Sequence, residues 1–77
     1  MIRKIKLIWD FRGLDAKETA RHHARHLEEF ALKEGLLFHE IDILEINSML
    51  TSAFITVNET DMKTYRDALH PHRGELV

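Results

Sequence analysis

Residues 36–58 run LLFHEIDILEINSMLTSAFITVN, and the reading of this stretch decides the fold. Two segments, 36–46 and 50–58, are rich in Leu, Ile, Phe, Val and Thr and are divided by the turn formers Asn47-Ser48. β-Branched and aromatic residues on both sides of a short polar turn specify a β-hairpin. Alternation within it predicts Leu37, Ile41 and Ile43 on the same buried face as Ala53, Ile55 and Val57.

Upstream, residues 2–11 alternate as well, with Ile5, Leu7, Trp9 and Phe11 on one face and Lys4, Lys6, Ile8 and Asp10 on the other. That period of two is the mark of a half-buried strand. Arg12-Gly13-Leu14 breaks it, and Asp15 with Glu18 three residues on suggests a capping box opening a helix to about Glu34. Gly35 suits a left-handed stop. Along this helix Ala16, Ala20, Ala24, Leu27, Phe30 and Ala31 make one apolar stripe, which must cover a sheet. Downstream, Asn58 or Thr60 is placed to cap a second helix through about Leu69, with Met62, Tyr65 and Leu69 inward and Pro71 ending it. Residues 70–77 are expected as a flexible tail or a short edge strand.

The order β-α-β-β-α places the chain in the α+β class as a single domain spanning 1–77. It resembles the first five elements of the ferredoxin-like plan, a two-layer sandwich with a three-stranded antiparallel sheet, two helices on one face and a fourth strand short or absent. That likeness is topological and carries no function.

Seventy-seven residues leave room for one core, which in so small a domain supplies roughly 3 to 5 kcal/mol. Small domains supplement such cores with disulfides, metals or oligomerisation. The absence of cysteine removes the first option and thiolate metal sites, and it fits a cytoplasmic protein. No apolar run approaches the roughly 20 residues that cross a bilayer, and the alternating start is unlike a signal-peptide core, so the mature protein is expected to be the whole chain without a membrane partner. A net charge of −2 disfavours nucleic acid, which is bound by basic surfaces. Six histidines are the outlying feature: protonating all six takes the net charge from −2 to +4.

The clearest functional hint lies on the back of the sheet. The assignments above leave Ile8, Phe38, Leu44 and Phe54 among Lys4, Lys6, Glu40, Asp42, Ser52 and Thr56, an apolar set that a monomer would expose. Contiguous exposed apolar surface marks interfaces, and a sheet lacking its fourth strand has an open edge. Both point to a homodimer and to a small interaction or regulatory module; a bulge that buries part of the set is the competing reading. The aromatic residues beside lysines also resemble base-stacking sheets, but Glu40 and Asp42 on that face and the missing basic-Gly-aromatic run oppose this.

Catalytic chemistry has weaker support. Ser48 and Ser52 lack a glycine-framed elbow, and Gly13, Gly35 and Gly74 lie too far apart for a phosphate loop, so no nucleotide cofactor is indicated. His23, at the edge of the helix stripe, could act as a base in a cleft with Asp10, Arg12 and His39, as in a small enzyme or ligand-binding protein of dimeric ferredoxin-like type. A core-boundary histidine bonded to a strand is the plainer account. Arg12 and Arg73 could hold an anion, while His22 and His26, one turn apart on the histidine-rich helix, could chelate a divalent metal.

Overall fold

The structure is a computed structural model and describes residues 2–77. Its elements are β1 (Lys4–Arg12), α1 (Ala16–Glu34), β2 (Glu40–Asn47), β3 (Leu50–Asn58), α2 (Glu59–Leu69) and β4 (Arg73–Leu76). The four strands form one antiparallel sheet in the order β2-β3-β1-β4. Alternation in β1 and β3 puts Ile5, Leu7, Trp9, Ile55 and Val57 on one face, where Leu27 and Ala31 of α1 and Tyr65 of α2 close over them as one buried cluster. Both helices therefore cover the same side of the sheet. None is long and apolar enough to cross a membrane.

The alanines of α1 explain how a helix settles against the sheet: Ala16, Ala20 and Ala31 are fully buried, and their small side chains permit close approach. Gly35 ends α1 at φ 65°, its N–H reaching the Ala31 and Leu32 carbonyls. A left-handed residue here costs glycine little. Neither helix start is closed as the sequence suggests. Asp15 makes no side-chain cap; its carbonyl accepts from Thr19 N at 2.9 Å, so backbone bonds alone open the helix. Asn58 also makes no cap, because His39 Nε2 lies 2.6 Å from its side-chain oxygen.

Two expectations about the sheet are corrected. The second strand begins at Glu40 instead of residue 36. Leu36 and Phe38 pack against the core cluster while Leu37 stands 71% exposed, the reverse of the predicted facing. The cause is that residues 36–39 are not strand, so alternation does not extend through them; Tyr65 Oη also reaches the Leu37 carbonyl at 3.2 Å and turns the segment toward α2. Of the two expectations for the C-terminal residues, a tail or a short edge strand, the structure shows the strand: β4 is short and pairs with residues 5–8 of β1, making a fourth strand. Finally, the hairpin carries an irregularity between Glu45 and Asn47, beside a turn in which the Asn47 side chain accepts from Met49 N at 2.8 Å.

Candidate functional site

The polar groups of β1 gather where the register of three strands superposes them. Asp10 faces Ser52 across the β1–β3 pair, and β4 brings Arg73 alongside. Ser52 Oγ donates to Asp10 Oδ1 at 2.5 Å, and Arg73 donates to the same carboxylate at 3.1 and 3.3 Å. The Arg73 hydrogen bond foremost, and that of Ser52 next, hold the Asp10 carboxyl below the usual carboxylate range. Arg73 also reaches Glu75 at 2.7 Å. With two carboxylates already on its guanidinium, Arg73 is a strand fastener, which weakens the anion-site reading; Arg12 lies at the exposed end of β1 opposite Leu50.

His23 occupies a niche on the other face. Its ring centre lies 4.8 Å from that of Trp9 and 5.4 Å from that of Phe11, and its Nε2 is buried without a hydrogen-bond partner. Burial depresses its pKa below the ordinary value of 6.5, and the nearby His26, His72 and His22 act in the same direction. Trp9 donates its indole N–H to the Leu69 carbonyl at 2.9 Å, and His72 Nδ1 accepts from Asp10 N at 2.8 Å. The niche thus packs aromatic rings around a neutral imidazole at the junction of α1, β1 and the segment leading into β4.

The predicted cleft does not assemble. Asp10 and Arg12 share the back face by strand alternation, His23 lies on the helix side, and His39 bonds Asn58 beside Lys4, at the opposite end of β1. His22 and His26 do come together, their Nε2 atoms 2.9 Å apart, with Glu29 3.5 Å from His26 Nδ1. Among the described residues no group of three or more His, Cys, Asp or Glu is placed to hold a metal.

The apolar back-face set divides in the same way. Ile8 and Phe54 sit opposite each other in the register and are 5% and 8% exposed, covered by long side chains from neighbouring strands: Lys6 Nζ stands 4.2 Å over the Phe54 ring. Lys6, Arg73 and Glu75 also rim a small pocket of about 80 Å³ above them. Phe38 leaves the set for the core. Leu44 remains 54% exposed, and it is joined by Ile46 at 50% and Met49 at 47%.

Sequence reasoning missed one larger feature, a groove of about 460 Å³ between α1 and β2. Its floor is Ala24, Ile41 and Ile43, and its rim carries Arg21, Arg25, Glu28 and Asp42. On α1 those charges look like an ordinary solvated helix face; only the lateral placing of helix over sheet shows that they border an edge strand. No protein-family profile, curated protein or solved structure matches this chain.

Proposed function

We propose that this chain is a small self-associating interaction module, and that the exposed apolar strip along β2 and its turn is the surface it uses. The observation that carries the reading is the exposure of Leu44, Ile46 and Met49 in a chain whose single core is small. Leaving three large apolar residues in water on one hairpin forgoes burial worth about 25 cal/mol per Å², which association recovers. Pairing and dispersal of the polar candidates support an interaction role over catalysis. The strand order read from the other edge, β4-β1-β3-β2 with both helices on one side, supports a ferredoxin-like arrangement, a plan that serves many functions and selects none.

Light scattering on a size-exclusion column tests the reading. Over about 10 to 500 μM the mass is expected to rise from the 9.1 kDa chain toward twice that value, as mass action requires. A constant monomer across the range would refute self-association. For the histidine pair, two ligands without a third make divalent metal a weak, exchangeable occupant. Protein dialysed after zinc loading is expected to retain no stoichiometric metal, and His22→Ala to abolish residual binding to a nickel resin. Retention of one zinc per chain would instead make His22 and His26 part of a true site.

A further inference from the structure

We infer that the partner is a second copy of this chain, and that two copies join their β2 strands antiparallel about a two-fold axis at Ile43, with the two α1–β2 grooves closing on each other. The inference rests on the proposed self-association and narrows its surface to the β2 edge and the α1–β2 groove, with Leu44 of the exposed strip beside the junction.

The sheet has two edges, and they differ. β4 is four residues long, whereas β2 presents eight. Long unpaired edges are the ones that recruit another strand. At β2 the Ile43 N–H is taken by its neighbour's side chain, Asp42 Oδ1, at 2.7 Å. This amide is therefore outside the β2–β3 ladder and points outward, so a partner strand's carbonyl takes it by displacing the Asp42 carboxylate. Alternation makes Ile41, Ile43 and Glu45 the outward-bonding residues.

Charge selects the register. An axis at Asp42 would set two Asp42 carboxylates face to face, and like charges directly opposite are destabilising. An axis at Leu44 would pair Ile41 with Asn47, beyond the irregularity that follows Glu45. An axis at Ile43 avoids both: Asp42 faces the second copy's Leu44, and Ile41 faces its Glu45.

The groove rim agrees with a two-fold partner. Arg21, Arg25, Glu28 and Asp42 border it, two cations and two anions, and among the described residues none forms an ion pair within its own chain. Lys17 of α1 does pair with Glu45 at 3.5 Å, so α1 runs opposite to β2. A two-fold then lays the two helices antiparallel across the junction and gathers the rim charges of both copies, two cations and two anions from each, along it. Ile41 and Ile43 of both copies fill the shared groove, and Leu44 gains cover on the back.

The absence of cysteine makes the test direct. Across an antiparallel hydrogen-bonded pair the Cα atoms stand about 5.5 Å apart, within disulfide reach. Under mild oxidation Ile43→Cys is expected to form a covalent dimer on a non-reducing gel, while Glu75→Cys on the far edge stays monomeric. Ile43→Lys, which opposes two ammonium groups at the axis, is expected to weaken dimerisation at least about tenfold with the circular dichroism unchanged. If light scattering shows a dimer but Ile43→Cys cross-links no faster than Glu75→Cys, the β2 surface is wrong and self-association stands. A chain that is monomeric at every concentration overturns both. Should Ile43→Lys unfold, the cross-linking result alone decides.

Discussion

Leu27→Ala is expected to leave the protein largely unfolded at 25 °C. Leu27 is fully buried in α1 at the centre of the cluster formed by Trp9, Ile55, Val57 and Tyr65. Truncating a buried leucine costs about 2 to 5 kcal/mol in lost transfer energy and cavity formation. A core of this size supplies about 3 to 5 kcal/mol, so the loss is comparable to the whole. Urea titration followed by circular dichroism checks it. Leu32→Ala, at a position 70% exposed on the same helix, is expected to change stability by no more than about 0.5 kcal/mol. Equal effects at the two positions would mean that α1 does not pack on the sheet through the stripe described.

Acidification is expected to destabilise the fold through His23, beginning near pH 6.5. The folded-state pKa of His23 is depressed below 6.5, chiefly by burial, so the unfolded chain takes up its proton first as pH falls. Stability is therefore complete above pH 6.5 and declines as pH drops toward the folded pKa. The sign would reverse only if an acidic partner raised that pKa, but the groups acting on His23 are histidines, His26, His72 and His22, and they lower it. One proton sets a limiting slope of about 1.4 kcal/mol per pH unit, and partial solvent contact of the ring reduces it. Trp9, the sole tryptophan, lies against His23 and reports its environment by fluorescence. His23→Leu is expected to flatten the dependence between pH 6.5 and 5. If the variant keeps the wild-type slope, the acid response belongs to other groups. Asp10 adds a separate loss at lower pH: its folded pKa lies below the usual 3.8, so its contribution disappears as pH falls beneath that value.

Much of the candidate site was illegible for reasons that can be traced to particular residues. Asp10, Ser52 and Arg73 are 42 and 63 positions apart in their pairings, and nothing local marks them as partners. Their meeting depends on the β1–β3 and β1–β4 registers. The choice between a tail and a short strand for the C-terminal residues was left open, because Arg73-Gly74-Glu75-Leu76 has no apolar alternation and all four residues stay exposed. It is a strand because β1 offers it an edge, with Gly74 lying over Ile5 and Leu7 so that even a Cβ there would meet them at 3.6 Å. Ile8 and Phe54 were assigned to the correct face but not to the correct environment, since long side chains from adjacent strands cover them.

The sequence by itself determined the α+β class, the apolar stripe of α1, the Gly35 stop, the β2–β3 hairpin and the inward residues of β1 and β3. Each follows from a period or a backbone preference that operates within a few residues. Tertiary structure alone decided that Phe38 turns into the core and Leu37 out, that Asn58 holds His39 instead of capping α2, that His22 and His26 meet through their Nε2 atoms while Glu29 contacts only His26 Nδ1, and that α1 leaves a charged groove beside β2. Those outcomes depend on which strand lies next to which and where a helix rests across them. Such placement minimises the energy of the whole chain, and no local pattern encodes it.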